Sequence, residues 1–356
     1  MRRPNRARRA GTGPRRLEPS SIAHLLPRFS GVPVVLMGDL VLDEFAYGEI
    51  ARVSREAPVL ILEYTESRFA PGGGANAAAN LAAMGADVRV VGRIGHDDAG
   101  RSLLALLEER GIDRSGIVRD PAYRTPVKTR ILAGSAHTAK QQIVRIDKGS
   151  MAQPLTPGAR RTLLARFRRR ARGAAALLVA DYGFGAASPD IFDDARPRPP
   201  IVTLDSRFRV TRFRGISAAT PNAAEVEQAL GTRIPDDAPA ILARAGRRLR
   251  GMLGATALVV TQGSRGMTLF EDGTRPLHFP PFGSDEVADV TGAGDTVVSA
   301  FTLALAAGGG FAEATCLANI AGGLVVMKRG TATVTTSEIL RALDAGSPAL
   351  VPPERL

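Results

Sequence analysis

The chain has 356 residues, of which 44% are hydrophobic and 23% charged, the proportions of an ordinary globular protein with ample core. Its single cysteine, Cys316, excludes an internal disulfide and indicates a reducing, cytoplasmic compartment. Four scattered histidines give no zinc-site spacing, and the lack of tryptophan argues against aromatic platforms for nucleic-acid bases.

The net charge of +12 comes from two arginine-rich segments. Residues 1–16 and 160–172 each contain seven arginines and no acidic residue, and the rest of the chain carries −2. We predict a disordered tail over residues 1–20, which lacks the apolar core of a secretory signal, and no membrane span elsewhere. The second segment interleaves apolar residues such as Phe167 with arginines, which predicts a surface helix with a solvated basic face. Nucleic-acid or lipid binding by these arginines is the less favoured alternative.

After the tail, short apolar segments alternate with helical patterns. The segments typical of buried parallel strands are residues 33–37, 88–92, 175–180, 201–204 and 257–261. The helical patterns are residues 75–84, 98–110, 159–172, 223–230, 296–307 and 312–327. This alternation predicts one α/β domain over residues 21–346, a three-layer α/β/α sandwich with a mostly parallel central sheet, and a peripheral tail over residues 347–356.

Two stretches, about residues 45–70 and 125–147, break this alternation. The first contains an extended run from Pro58 with no helix before the next strand, and the second has two strand patterns around a loop containing Gly134, Ser135 and Ala136. We expect a small antiparallel sheet beside the ligand crevice at the carboxyl ends of the parallel strands. There it would act as a lid that excludes water.

A first glycine-rich element, Gly72-Gly73-Gly74-Ala75-Asn76, lies between the lid and a helix. Successive glycines let a ligand approach the backbone, and Asn76 offers a donor and an acceptor to sugar hydroxyls. Taken alone the element is a weak signal, because glycine-rich helix starts are common.

Residues 289–296, Asp-Val-Thr-Gly-Ala-Gly-Asp-Thr, give the clearest chemical signal. At a helix start, the N–H groups of Gly292, Ala293 and Gly294 would be unpaired and would favour an anion. Asp295 is badly placed for anion binding, which indicates a base that takes a proton from an attacking hydroxyl. The combination predicts phosphoryl transfer to an alcohol. An ordinary glycine-rich helix start explains this motif alone equally well.

The two elements resemble the two signatures of the ribokinase-like (PfkB) carbohydrate kinases, since Ala78, Gly85 and Gly95 continue the first at the family spacing. More specific motifs resemble bacterial D-glycero-β-D-manno-heptose 7-phosphate kinases. These motifs are residues 38–43, 47–48, 54–59, 128–130, 141–147, 181–183, 214–215 and 220–225. The similarity covers residues 32–343 and implies the ribokinase-like fold. Because no H-x-G-H nucleotidyltransferase motif follows, we expect a stand-alone kinase.

The resemblance implies which residues bind the sugar phosphate. The positions matching sugar-hydroxyl contacts are Asp39, Asp43, Gly73, Gly74 and Asn76, and the cations within reach of the substrate phosphate are Lys128, Arg130 and Arg145. For Asp39 the alternative is a turn-capping carboxylate after a strand. For each cation the alternative is an ordinary exposed charge on a strand.

The resemblance also implies the nucleotide site. Asn222 and Glu225 match an N-x-x-E element that organises hydrated Mg²⁺ beside the phosphates of ATP, although without the family they form a plain helix-capping pair. Further matches are Thr261, Gly263 and Gly266 for an ATP-binding loop, Asn319 near the adenine, and Asp289 with Thr291 near a monovalent cation such as K⁺. The alternative for Asn319 is a helix-surface amide.

We therefore hypothesise ATP-dependent phosphorylation of the 1-hydroxyl of heptose 7-phosphate, with Asp295 as base, in ADP-heptose and lipopolysaccharide precursor synthesis. Phe184 and Arg207 depart from the pattern: Phe184 replaces a lysine, and Ser206-Arg207 replaces a Pro-Lys pair. The alternative is a related kinase of ribose, a hexose or a keto-deoxy sugar acid; a non-catalytic nucleic-acid-binding protein is remote. Lid-mediated dimers are common in such folds, so we expect a homodimer.

Overall fold

The computed structural model describes residues 22–134, 140–149, 153–283 and 287–345, and the backbone of residues 354–355. The predicted tail over residues 1–20, most of residues 347–356, and Ser135 and Ala136 of the predicted lid loop lie outside the described residues.

Apolar strand segments form a sheet in which ten strands are described. They are β1 Pro33–Gly38, β4 Asp87–Ile94, β5 Asp113–Arg119, β8 Ala176–Asp181, β9 Ile201–Ser206, β10 Ala218–Ala219, β11 Ala257–Thr261, β12 Met267–Glu271, β13 Leu277–Phe279 and β14 Glu354–Arg355. The order is β14-β13-β12-β11-β10-β9-β8-β1-β4-β5. The run from β11 to β5 is parallel, whereas β12, β13 and β14 are antiparallel. All five predicted strands are confirmed within two residues.

Helices cover both faces of this sheet. They are α1 Gly74–Ala83, α2 Asp98–Glu108, α3 Pro157–Arg170, α4 Pro189–Asp194, α5 Ala223–Leu230, α6 Pro239–Leu253, α7 Ala293–Ala306, α8 Phe311–Val326 and α9 Thr336–Asp344, with 3-10 turns at Leu26–Phe29, Val210–Arg212 and Gly263–Arg265. The six predicted helices are confirmed, but α7 begins three residues before the prediction, so that Asp295 lies inside its first turn. None of the helices in the described ranges combines the length and hydropathy needed to cross a bilayer.

The strand β1 shows how one sheet supports two cores. Val34 and Leu36 join the cluster formed with α1, α7 and α8, whereas the alternate residues Val35 and Met37 join the cluster formed with α3 and α6. Because successive side chains of a strand point to opposite faces, both faces of β1 are apolar. The predicted three-layer α/β/α sandwich is confirmed.

The predicted surface helix with a basic face is confirmed as α3, whose Leu163, Leu164 and Phe167 are buried. Two of its arginines have acidic partners within the chain: Arg160 pairs with Asp190, at 2.7 Å between Nη1 and Oδ2, and Arg170 pairs with an aspartate on β5. These pairs reduce the basic charge that the helix offers to a nucleic acid or a lipid surface.

The lid consists of β2 Leu40–Val53, β3 Leu60–Gly73, β6 Val127–Gly134 and β7 Gln141–Lys148, in the order β3-β2-β6-β7. The prediction of an antiparallel sheet is wrong for its central pair, since β2 and β6 are parallel. Each begins shortly after a parallel strand of the main sheet, β1 and β5, and therefore leaves the same edge in the same direction. The lid strands also extend beyond the predicted limits, so Asp43 belongs to the lid.

Candidate active site

Two adjoining cavities lie at the carboxyl ends of the parallel strands. The polar cavity, of about 880 Å³, is lined by lid residues, by the ends of β8 and β9, by the start of α5 and by residues 289–295. The apolar cavity, of about 500 Å³, is lined by the turn after β11, residues 281–283, and the sides of α7 and α8. Thr261, Val290, Ala293 and Gly294 border both cavities. A ligand that extends from the polar cavity into the apolar cavity would therefore pass along the start of α7.

The start of α7 is formed by small residues. Gly292 precedes the helix with φ +79°, a conformation that an L side chain rarely adopts. Gly294 is exposed to the cavities, and a Cβ atom there would meet no atom within 4 Å. The N–H of Ala293 donates to the carbonyl of Val290 at 3.3 Å, so that the expectation of an unpaired amide is wrong at Ala293.

Asp295 is buried and borders the polar cavity. Its two oxygens accept different donors: Oδ2 lies 2.9 Å from Nδ2 of Asn76, and Oδ1 lies 2.5 Å from the hydroxyl of Tyr182. Burial raises the pKa of Asp295 to about 6, against the two hydrogen bonds that lower it. A carboxylate with this pKa is ionised at neutral pH but more basic than one in water, which suits proton acceptance.

Asn76 is not among the residues lining the polar cavity, and its side chain is occupied. Its Nδ2 donates to Asp295, while its Oδ1 accepts from Asn80 at 3.2 Å; Asn80 Oδ1 in turn accepts from the hydroxyl of Thr296 at 3.0 Å. The chain of donors fixes the orientation of the Asn76 amide toward the carboxylate. The structure therefore gives Asn76 a role in orienting Asp295, and its side chain does not reach the polar cavity.

Asp39 is also turned away from the polar cavity. Its carboxylate accepts three backbone N–H groups, from Tyr182 at 3.0 Å, Phe184 at 2.8 Å and Ala186 at 2.7 Å. Burial raises the pKa of Asp39 to about 6, with the nearby Asp181 adding to the shift. The expectation that Asp39 binds sugar is wrong in this geometry, and the turn-capping alternative describes its contacts.

The two glycines predicted to bind sugar differ in position. Gly73 borders the polar cavity, whereas Gly74 does not. The N–H of Gly74 donates to the carbonyl of Asp39 at 3.0 Å, and a Cβ at Gly74 would lie 3.0 Å from that oxygen. Gly74 therefore allows α1 to pack against the end of β1 and does not contact the substrate space.

The three predicted lid cations all border the polar cavity, but they differ in how far carboxylates of the protein already neutralise their charge. Arg130 is buried and bonded to Asp43, at 2.8 Å between Nη1 and Oδ1, and Asp43 also accepts from Thr331. Arg145 is paired with a neighbouring aspartate on β7 and is more exposed. Lys128 lies 5.3 Å from the ring of Tyr182, and burial lowers the pKa of its ammonium group.

The two departures from the heptose kinase pattern have different consequences. Phe184 is buried and brings no positive charge to this position. Its hydrogen bonds are made by its backbone: the N–H donates to Asp39, and the carbonyl accepts from Arg93. Arg207 borders the polar cavity and keeps a positive charge there. The cavity therefore lacks a cation from position 184 but has one from position 207.

Asn222 and Glu225 form a complete capping box at the start of α5. Asn222 Oδ1 accepts from the N–H of Glu225, and Glu225 Oε2 accepts from the N–H of Asn222, each at 2.9 Å. Both side chains also border the polar cavity. The capping explanation is thus correct, and it fixes these two oxygen-bearing side chains beside the cavity.

Two site residues, Tyr182 and Asp205, were not predicted from the sequence. Asp205 is partly buried in the wall of the polar cavity. Burial, then the nearby carboxylates of Glu225 and Asp295, raise its pKa far above the ordinary value, while Arg207 lowers it. Asp205 lies near the carboxyl end of β9, a parallel strand. Because ligands bind at the carboxyl ends of the strands in such sheets, this position could have indicated a site residue.

The apolar cavity contains the residues predicted to bind ATP. Thr261, Gly263, Gly266 and Asn319 all border it, beside the side chains of Met267, Phe282, Val287, Val290, Val297 and Val326. Asn319 is buried and donates to the carbonyl of Pro280 at 2.7 Å, so the alternative of a helix-surface amide is wrong. This lining suits a flat apolar group with few polar atoms.

Comparison with known proteins identifies the family. The model of the pfkB family of carbohydrate kinases matches residues 40–156 and 207–338. The chain belongs to the pfkB family of carbohydrate kinases. It is 39% identical over 332 residues to the bifunctional protein HldE of Geobacter metallireducens. The match covers 92% of this chain, which spans 66% of that relative's length.

Two solved structures of other kinases share the fold. Ribokinase from Arabidopsis thaliana, complexed with ribose and ATP, has a TM-score of 0.68 at 20% identity, with 88% of this chain and 99% of that chain covered. Phosphofructokinase-2 from Escherichia coli, in complex with potassium, has a TM-score of 0.69 at 19% identity, with 88% and 98% covered. The predicted ribokinase-like fold is thereby confirmed.

Proposed function

We propose that this kinase transfers the γ-phosphoryl group of ATP to the anomeric 1-hydroxyl of D-glycero-β-D-manno-heptose 7-phosphate, giving the 1,7-bisphosphate. The observation that supports the chemistry is the position of Asp295, a buried carboxylate that borders the polar cavity in the first turn of α7. A proton acceptor and the start of a helix, where amide groups favour an anion, then border the same space. The motif resemblance to heptose 7-phosphate kinases supports the choice of sugar.

In this mechanism Asp295 accepts the proton of the attacking hydroxyl. The amide groups of Gly292 and Gly294, on either side of the paired amide of Ala293, stabilise the charge on the transferring phosphoryl group. The lid strands carry Asp43 and Lys128 over the polar cavity and exclude water, so that the sugar hydroxyl is the available acceptor.

The nucleotide is proposed to span the two cavities. Its adenine fits the apolar cavity beside Val297 and Val326, and its phosphates reach the polar cavity past Gly294, which borders both. Because Gly294 has no side chain, the phosphates can approach the backbone closely.

Mg²⁺ is proposed beside Asp205, Asn222 and Glu225. Burial raises the pKa values of Asp205 and Glu225, and the Glu225 carboxylate raises that of Asp205 further, which indicates crowded negative charge that a cation would relieve. Among the described residues no group of three His, Cys, Asp or Glu side chains is arranged to hold a metal alone. These residues therefore fit Mg²⁺ that is held largely through water and ATP. When bound, the ion supplies positive charge to the phosphate groups.

A monovalent cation such as K⁺ is proposed near Asp289 and Thr291. Asp289 Oδ1 accepts from the N–H of Thr291 at 2.9 Å, and Oδ2 accepts from the N–H of Gly330 at 3.0 Å. These bonds fix the loop before α7, and the carboxylate oxygens retain lone pairs that fit a cation.

Recognition of the sugar phosphate is assigned to the open part of the polar cavity. Lys128, Arg145 and Arg207 are the proposed phosphate contacts, whereas Arg130 is largely neutralised by Asp43. Asp43 keeps lone pairs on its carboxylate for a sugar hydroxyl near Gly73.

The role of Asp295 is tested by Asp295→Asn, with the exposed Asp237→Asn as a matched control. We expect kcat of D295N to fall at least ~10²-fold, the scale of a positioned general base, and D237N to behave as wild type. Near-normal turnover by a correctly folded D295N would remove Asp295 from the mechanism.

The sugar is tested by a coupled assay of ADP release over heptose 7-phosphate, ribose, hexoses, hexose phosphates and keto-deoxy sugar acids. Selective turnover of heptose 7-phosphate is expected. The second candidate, a kinase of a different sugar, is favoured by the buried Phe184, which removes one expected phosphate contact. Robust turnover of free sugars with none of heptose 7-phosphate would establish that candidate.

We propose that the protein is a homodimer joined through its lids. The lid strands expose large apolar side chains, namely Ile50, Val53, Leu60, Tyr64, Phe69, Ile143, Val144 and Ile146. Several large apolar side chains exposed on one small sheet favour an association site. Light scattering should give twice the chain mass for the wild type and a monomer for Val144→Asp/Ile146→Asp; a wild-type monomer at micromolar concentration would refute the dimer.

A further inference from the structure

Tyr182 lies where the main sheet meets the base. It follows directly after β8, and its hydroxyl donates to Oδ1 of Asp295 at 2.5 Å while Asn76 donates to Oδ2 at 2.9 Å. Each carboxylate oxygen is thus held by a different donor, from a different element of the fold. Two bonds on two oxygens fix the plane of the carboxylate, which a single bond would not do.

The loop that carries Tyr182 is held by hydrogen bonds to two buried charged side chains. Asp39 accepts the N–H groups of Tyr182, Phe184 and Ala186. On the other side, the guanidinium of Arg93 donates to the carbonyl of Phe184 at 2.9 Å. Asp39 and Arg93 are both almost fully buried, and neither lines the polar cavity. Their contacts are explained by holding this loop in one conformation.

Arg93 also connects the loop of Tyr182 to a second loop, which lies outside the cavity lining. Its guanidinium also donates to the carbonyls of Gln153 at 2.6 Å and Pro154 at 3.2 Å, and it lies 3.7 Å from the ring centroid of Tyr123. A buried arginine that binds carbonyls of two separate loops fixes their relative positions. The hydroxyl of Tyr182 is therefore delivered by a rigid segment.

We propose that Tyr182 is a positioning residue that orients Asp295 and keeps its carboxylate ready to accept the proton of the attacking hydroxyl. This inference rests on the proposed role of Asp295 as base. It assigns to Tyr182 no contact with the transferred group and no proton transfer of its own. Asp39 and Arg93 act one layer further out, by holding the loop of Tyr182.

The charges around Asp295 support this role. Burial and the carboxylate of Asp43 on the lid raise its pKa, whereas Tyr182, Asn76 and the ammonium of Lys128 lower it. Asp205 on the neighbouring strand borders the same cavity. Burial and nearby carboxylates hold the pKa of Tyr182 well above its ordinary value, so its hydroxyl remains a donor across the working range.

The test is Tyr182→Phe, which removes only the hydroxyl, with the half-buried Tyr47→Phe as control. Because the hydroxyl favours ionised Asp295, its loss should move the acid limb of kcat/KM up by about 1 to 2 pH units. At pH 6 the variant should then be at least about five-fold slower than wild type, and the difference should narrow above pH 8. The KM values for sugar and nucleotide should stay within about two-fold, because Tyr182 is assigned no part in binding.

A second measurement separates positioning from general structural damage. If Tyr182 acts through Asp295, adding Tyr182→Phe to Asp295→Asn should change the residual rate by less than about two-fold, since coupled residues are not additive. An unmoved acid limb in Y182F, or a full additional loss in the double variant, would overturn the inference. An active D295N would instead defeat the proposed function itself, so the two failures are distinguishable.

Discussion

Gly294→Ala tests whether the start of α7 holds a phosphoryl group. The added Cβ would meet no protein atom within 4 Å, and Gly294 lies in the first turn of the helix. Alanine is a better helix former than glycine by up to about 1 kcal/mol, so the free energy of unfolding should be unchanged or slightly higher. The methyl group would, however, occupy the junction of the two cavities.

The expected loss of activity follows from that position. A methyl group at the junction keeps the phosphoryl group from the amides, and loss of one such donor typically costs about 10²–10³-fold in kcat. G294A should therefore be as stable as the wild type and at least ~10²-fold slower. Loss of activity in G294A without loss of stability is expected only if a ligand occupies the space that the added methyl group fills.

Gly292→Ala adds the same methyl group two residues earlier and is the matched comparison. Here φ is +79°, and the Cβ would lie 2.4 Å from Nδ2 of Asn76, the donor to Asp295. The left-handed backbone costs about 1–2 kcal/mol, and weakening a hydrogen bond to a charged group costs about 1.5–3 kcal/mol. G292A should therefore lose roughly 2.5–5 kcal/mol of unfolding free energy together with its activity.

Urea denaturation followed by circular dichroism gives the unfolding free energies, and coupled ADP release gives kcat and KM for the same preparations. Turnover of G294A within about three-fold of wild type would refute anion binding at this helix start, because a single blocked donor costs much more. Equal destabilisation of the two variants would refute the account of the open space at Gly294.

Four further predictions concern charge. The plot of kcat/KM against pH should fall on acidification with a midpoint near pH 6, because Asp295 must be ionised and its pKa is about 6; a midpoint near 4 would contradict this. Protonation of Asp39 and Asp295 should not by itself destabilise the protein. Their pKa values are raised to about 6, so their contribution to the free energy of unfolding grows as the pH falls from about 6 toward 4, and urea titrations at pH 7 and 5 test this. Arg130→Ala should cost about 3–5 kcal/mol in urea by leaving Asp43 buried without its partner, and a cost below about 1 kcal/mol would show that the pair is solvated. Lys128→Ala should raise KM for heptose 7-phosphate about ten-fold without changing KM for ATP; an unchanged sugar KM would exclude the contact.

The amino-acid sequence by itself determined the parts of the protein that depend on neighbours along the chain. The period of apolar residues located the five predicted strands and six predicted helices, and the glycines before Asp295 located a helix start beside a carboxylate. These features are local: strand burial, helix periodicity and backbone freedom are all expressed within a few residues.

The tertiary structure decided which polar groups meet. Asn76 and Asp295 are 219 positions apart, and their hydrogen bond exists because α1 packs beside α7. The parallel pairing of β2 and β6 likewise places Arg130 against Asp43. The carboxylate of Asp39 accepts hydrogen bonds from backbone N–H groups of the loop after β8, which is also distant in sequence. Strand register and helix packing set such pairs, and no pattern of nearby residues encodes them. The residue types thus indicated the chemistry, whereas the fold determined which side chains remain free to take part.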